Sequence, residues 1–263
     1  MIIGKKSTIC YKYSMNTTKH KPLLKHLSEF EQVLSSYTPS QKSLEILQRL
    51  PLVLLVGPTA SGRNTLIGIL LETGEYHSII SDTTRAKRMN NGVMERDGVE
   101  YWFKTEEEVL AGLRRGEYLE AAIIHGQQVS GQNISQLEAA HKEGRIAVNE
   151  VQINGAAVVH SLKPNTLIIF LLPPTFDIWM QRLRGRGDVD EDELRRRLES
   201  AVVEITTALN TDYYQFVINN EIHHAAHAVD ELAHGRPVDE EKQAHGRIHA
   251  EQLLQDVRRF LQR

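Results

Sequence analysis

From Pro51 onward the chain alternates between two hydrophobic rhythms. Short, largely apolar runs at 52–56, 77–81, 99–104, 118–124, 145–151, 166–172 and 214–219 predict strands. Between and after them, apolar residues at three- and four-residue spacing predict helices over 63–72, 105–115, 133–143, 153–161, 175–184, 190–209 and 223–234. Such alternation predicts an α/β fold, a central and mostly parallel sheet with helices on both faces. Thr166–Leu172 is almost wholly apolar, as a strand buried on both faces should be.

Two stretches depart from this rhythm. Between 77 and 131 the strands are shorter and more polar, which predicts an inserted lobe. Ahead of the first strand, Leu23, Leu24, Leu27, Phe30, Val33 and Leu34, then Leu44, Ile46, Leu47 and Leu50, predict two short helices across 22–50. The helix at 190–209 opens with Asp190 and Glu193 at capping spacing and carries a stripe of Leu194, Leu198, Val202, Ile205 and Leu209. Gly235-Arg-Pro237 closes the main domain, 51–234, and 239–262 predicts a last amphipathic helix within a 235–263 extension. Both extensions can dock on the core or pair with a second copy, so a monomer and a homodimer are both open. Residues 1–21 read as a disordered lead.

Composition narrows the class. The chain has 263 residues, 41% hydrophobic and 25% charged, a globular balance for one large domain with appended pieces. The net charge of −3 calls for neither a nucleic-acid nor a membrane partner. No apolar run approaches a membrane span. Cys10 is the only cysteine, which excludes an intrachain disulfide and fits a reducing compartment such as the cytoplasm.

The clearest chemistry lies in Gly57-Pro58-Thr59-Ala60-Ser61-Gly62-Arg63-Asn64-Thr65, between a strand and a helix. Its two glycines have the spacing of a phosphate-binding P-loop, in which backbone N–H groups at a helix N-terminus point at phosphate oxygens. The usual lysine is Arg63, which keeps the charge in a longer, forked form. The usual Mg²⁺-binding hydroxyl is Asn64, whose carbonyl oxygen can ligate the ion or hold one of its waters. Thr65 is rotated about 100° further round the helix and cannot simply substitute. A glycine-rich turn with no ligand is the plain alternative.

Further on, Ser81-Asp-Thr-Thr-Arg85-Ala-Lys-Arg88 sets two arginines among three hydroxyls, a plausible clamp for a second phosphate. Taken alone, it reads more readily as a solvated basic turn. Tyr101, after the turn in Glu95-Arg-Asp-Gly-Val-Glu-Tyr101, can donate to the same phosphate. His223 with His227, and His245 with His249, have metal-gripping i,i+4 spacing, but surface histidines are the better reading.

The order of these motifs, with Leu171-Leu-Pro-Pro174 and Arg182-Leu-Arg-Gly-Arg186-Gly, resembles the guanylate kinase family over about 51–234. The resemblance implies a P-loop nucleoside monophosphate kinase: a three-layer α/β/α core, a nucleotide-monophosphate lobe at about 77–131 and a helical lid at about 184–197. It implies that Ser81, Arg85, Arg88 and Tyr101 serve the acceptor phosphate, that Glu95 belongs with them to the NMP-binding set, and that Glu120 reads guanine. Arg182, Arg186 and Arg197 would surround the transferred phosphate, Arg63 would act with them as the catalytic P-loop cation, and Asn219 would stand on the adenine side. Glu120 also makes chemical sense. One carboxylate accepts from both N1–H and the 2-amino group of guanine, a donor pair adenine lacks.

Departures fall at the base pocket. Where the family has Gly-Asn-Tyr-Tyr-Gly-Ser/Thr, this chain has Gly126-Gln-Gln-Val129-Ser-Gly131, which puts Val129 at a phosphate-ligand position and Gly131 at a base-reading hydroxyl. The family's Asp-x-Asp is Glu150-Val-Gln152. Glu150 can anchor Mg²⁺ waters, and Gln152 can bond a base. The expectation is ATP- and Mg²⁺-dependent phosphorylation of GMP or dGMP. The alternatives are a non-catalytic module binding a phosphorylated or acidic partner, and a kinase for another phosphorylated small molecule.

Overall fold

The computed structural model describes residues 23–90, 92–185 and 190–262. The lead at 1–21 and Arg186 lie outside them. In chain order the elements begin with α1 (Leu27–Ser35), α2 (Gln41–Arg49), β1 (Leu52–Val56), α3 (Arg63–Glu72), β2 (Tyr76–Ser78), β3 (Asp82–Thr83), β4 (Met89–Asn90) and β5 (Val93–Met94). There follow β6 (Trp102–Phe103), α4 (Glu106–Arg114), β7 (Tyr118–Ile124), β8 (Gln128–Asn133), α5 (Ile134–Glu143), β9 (Ile146–Glu150) and α6 (Ile153–Leu162). The chain continues through β10 (Leu167–Leu172), α7 (Phe176–Arg184), α8 (Glu191–Leu209), β11 (Tyr214–Ile218), α9 (Ile222–Ala233) and α10 (Glu240–Leu261). Two compact units result, one of residues up to Leu47 with Ile80–Gln136, the other of Gln48–Ile79 with Leu137–Arg263.

The larger unit holds a five-stranded sheet in the order β11-β10-β1-β9-β2, parallel at every pairing. β1 is buried at every residue because it lies inside the sheet and is covered on both faces. On one face α3 and α9 close over Val53, Leu55, Ile169 and Leu171 through Leu66, Leu70, Ala226 and Val229. β1 lies between β9 and β10, where successive strands leave in opposite directions. Crevices at the carboxyl ends of strands form at such a point. The buried stripe of α8 is Leu194, Leu198, Ala201, Ile205 and Ala208. The expected Val202 and Leu209 are only half-buried, because a 3.6-residue period drifts from strict four-residue spacing.

In the smaller unit, β3, β6, β7 and β8 form a mixed sheet in the order β6-β3-β8-β7. Leu24, Phe30, Val109, Leu110, Leu113, Tyr118 and Val129 make its core beneath α1 and α4. Thr105 and Glu108 cap α4 reciprocally. The Tyr37 hydroxyl accepts from Tyr118 N–H at 2.9 Å and donates to Tyr118 O at 2.6 Å, which pins β7 beside its bulge between Tyr118 and Glu120.

Several predicted elements change here. The strand expected at 77–81 ends at Ser78, and that at 99–104 shrinks to Trp102–Phe103. The β4–β5 hairpin and β8 had no counterpart in the hydrophobic pattern. Gln128–Asn133, with its polar residues and a glycine, has little intrinsic preference for a strand. Antiparallel pairing with β7 and β3 imposes it.

Candidate active site

The larger unit carries the P-loop segment. Gly57 has φ +145°, and a Cβ there would stand 2.4 Å from Leu171 O, so no side chain fits. Gly62, the residue before α3, has φ +107°, and its Cβ would stand 2.3 Å from Asn219 Nδ2. That close approach lets Asn219 donate to Ser61 O at 2.7 Å. Ser61 N–H donates to Pro58 O at 3.0 Å, and the Trp179 indole donates to Thr59 O at 2.8 Å. The loop is thus fixed by backbone and side-chain bonds before any ligand arrives.

Above it opens a cleft of about 430 Å³, lined by Ala60, Gly62, Thr65, Arg182, Gly185, Asn219 and Ile222. Ser61 Oγ, Arg182 Nη1 and Asn219 Oδ1 are buried without a hydrogen-bond partner. A half-buried arginine with one buried, unspent donor beside a helix N-terminus is chemistry for an anion.

Arg63 and Asn64 point elsewhere. Arg63 Nη1 donates to Val151 O at 3.4 Å, and Nε lies 3.7 Å from Glu150 Oε2. The Asn64 amide faces the same carboxylate, and with its nitrogen turned inward to donate, that atom stands 2.5 Å from Oε2 and 3.3 Å from Oε1. Both variant P-loop residues therefore converge on Glu150 at the end of β9. Gln152, the N-cap of α6, is exposed and makes no capping bond. Arg197 is held within α8 by Glu193, Nε to Oε1 at 2.8 Å. Glu204, not singled out from sequence, is a half-buried carboxylate pushed up to about 7 by desolvation and eased by the charge of Arg63. Only its i+7 spacing from Arg197 on α8 hinted at it.

The acceptor-side residues lie in the smaller unit. Glu95 is 6% exposed, and both oxygens are committed: Oε2 and Oε1 take Arg85 Nη1 and Nη2 at 2.5 and 2.8 Å, and Oε2 also takes Arg88 N–H at 2.8 Å. The glutamate thus orients the Arg85 guanidinium and fixes the backbone at Arg88. It also holds the Arg85 guanidinium charged above its ordinary range. Arg85 lies over the Tyr101 ring, 4.8 Å from its centre, while the Arg88 side chain is exposed and Ser81 half-buried.

Glu120 is pushed up to about 7 by desolvation alone. It stands opposite Gln132 in the β7–β8 ladder, so both side chains share a face. Ser130, two residues along that face, bonds Thr83 Oγ1 at 2.9 Å. Gln132 is 1% exposed and its Oε1 lacks a partner. Val129 and Gly131 turn to the other face. Val129 is fully buried in the core, and a Cβ on Gly131 would stand 2.6 Å from Glu120 O and 2.7 Å from Ala121 Cβ. The expectation that these two occupy ligand positions is therefore corrected. The bulge in β7 sets which face each residue takes, and Ser130 and Gln132, missed from sequence, stand beside Glu120.

Two of the four candidate histidines have protein partners. His227 pairs with Glu231 at 3.3 Å and His249 with Pro173 O at 2.8 Å. Among the described residues no cluster of three His, Cys, Asp or Glu is placed to hold an ion, and no helix is long and apolar enough to cross a membrane.

Comparison with known proteins places this geometry. Residues 48–235 match the family model described as guanylate kinase. The guanylate kinase of Corynebacterium diphtheriae is 41% identical over 188 residues, 70% of this chain and 95% of that protein. That of Rhodococcus jostii is 32% identical over 76% of this chain and 95% of its own length. Among solved structures, the crystal structure of guanylate kinase from Anaplasma phagocytophilum aligns with TM-score 0.51 and 26% identity, over 70% of this chain and 84% of that one.

Proposed function

The chain belongs to the guanylate kinase family, and on that premise we infer that it transfers the γ-phosphoryl group of ATP to GMP, giving ADP and GDP. The observation that carries this reading is the cleft over the P-loop, with Arg182 Nη1, Ser61 Oγ and Asn219 Oδ1 buried and unpartnered. ATP phosphates lie on the α3 N-terminus and the loop amides, and Asn219 Oδ1 accepts from the adenine amino group.

Arg85, Arg88, Tyr101 and Ser81 hold the GMP phosphate. Glu120 accepts from guanine N1–H and the 2-amino group, with Ser130 and Gln132 beside it for the remaining base edge. A GMP phosphate oxygen attacks the γ-phosphorus as the bond to the β–γ bridging oxygen breaks, and ADP leaves with that electron pair. No enzyme-bound phosphate forms. Catalysis is positioning and charge neutralisation by Arg182, Arg186 and Arg197. Asn64 Oδ1 and the Glu150 carboxylate are exposed hard-oxygen donors suited to Mg²⁺ or its waters, and the ion would neutralise β/γ-phosphate charge there. Arg63 holds Glu150 in place for that role.

ADP release measured with ATP and Mg²⁺ against GMP, dGMP, AMP, CMP and UMP tests the assignment. Turnover should be confined to GMP and dGMP. Turnover with another acceptor instead would remove guanine as the substrate, and absence of both turnover and ATP binding would reduce the chain to a binding module.

A further inference from the structure

The family match ends at residue 235, yet the chain continues into α10, a helix of 22 residues. We propose that α10 is a strut for the arginine-bearing helices α7 and α8, so that Arg182 and Arg197 take their working positions from a segment outside the family core. The proposal rests on the kinase reading above and adds a positioning element to it.

Two seams hold α10. Its first half closes the open edge of the sheet at β11. Gln243 Oε1 accepts Phe216 N–H at 2.7 Å, and its Nε2 donates to Phe216 O at 3.4 Å, so one side chain replaces a missing neighbouring strand. Gly246 permits that approach, since a Cβ there would stand 2.6 Å from Phe216 Cβ. Arg247 lies over the Phe216 ring and donates to Leu209 O at the end of α8.

The second half reaches the catalytic side. Val257 is fully buried in the cluster that joins Trp179 and Leu183 of α7, Leu194 and Leu198 of α8, and Ala60 of the P-loop. Arg195 donates to Leu261 O at 2.9 Å, and the Phe260 and Phe176 rings meet at 5.9 Å. Leu183 and Leu198 each adjoin a cleft or lid arginine in sequence, Arg182 and Arg197. The packing that fixes the leucines therefore fixes where those arginines start, and misplacement by about an ångström is enough to slow transfer.

The test uses full-length protein. Val257→Ala loosens the catalytic seam, Gln243→Leu cuts the edge seam, and Val257→Ile refills the first. With ATP and GMP, Val257→Ala should lower kcat about tenfold while KM for GMP stays within about twofold. Amide exchange should quicken across 179–184 and 194–201. Val257→Ile should restore both. Gln243→Leu should lower the thermal midpoint yet leave kcat within about twofold. Unchanged kcat in folded Val257→Ala overturns the strut, as do losses in both variants that merely track their thermal midpoints. Should Val257→Ala not fold, Phe260→Leu at the rim of the same cluster takes its place with the same outcomes. If the unaltered enzyme turns over no acceptor, the kinase reading falls by itself. Exchange in α7 and α8 then decides the strut, and no quickening there overturns it.

Discussion

Glu120 concentrates the chemistry of a single residue. Burial holds it near 7 without a compensating cation, so in the free protein it titrates at physiological pH. Guanine needs the carboxylate as acceptor. KM for GMP should therefore be flat above about pH 7 and rise about tenfold per unit below it, while KM for ATP stays level. A flat GMP profile across that range would remove Glu120 as the base reader. Arg182 is the matching case on the donor side. Arg182→Met should lower kcat by about 10²–10³ with little change in KM, as loss of a charge felt mainly in the transition state does. Both residues were singled out through the family resemblance of their motifs, and these two measurements test their roles. The turn of Arg63 and Asn64 toward Glu150 was not legible in the sequence, since it depends on where β9 ends beside the loop.

At the scale of elements, β8 shows how a strand decides what residue type cannot. Val129 and Gly131 look like lost ligands only if their side chains face the ligand, and alternation from the β7 bulge turns them inward. Gly131→Ser, which would supply the hydroxyl typical of the family, should therefore destabilise the protein by roughly 1–3 kcal/mol, because the added atoms overlap Glu120 O and Ala121 Cβ. Denaturant unfolding measures this, and an unchanged midpoint would place the side chain on the open face instead. The arginine clamp has the same dependence on an element. Arg85 and Arg88 stood out as a clamp only through the family resemblance, and that Glu95 holds the Arg85 guanidinium and the Arg88 backbone emerges only once β5 carries it back beside the turn.

For the whole molecule, two half-buried carboxylates set a pH dependence of stability. Glu204, like Glu120, stands near 7 in the folded chain against about 4.5 unfolded. The folded state then binds the extra proton between those values, so stability from each is fully present below about 4.5 and lost as pH rises through about 7. Glu204→Gln should raise the melting temperature at pH 8 and change it little at pH 5, with up to about 3 kcal/mol at stake. A uniform shift at both pH values would refute the assignment. The sequence alone determined the alternating α/β plan and the position of the P-loop after β1, because periodicity and spacing are local properties of the chain. Only the tertiary structure decided which face of β8 meets Glu120, that Glu95 holds the Arg85 guanidinium, and that the terminal helices are built into the two units. Those outcomes depend on contacts between residues far apart along the chain, which no local pattern encodes.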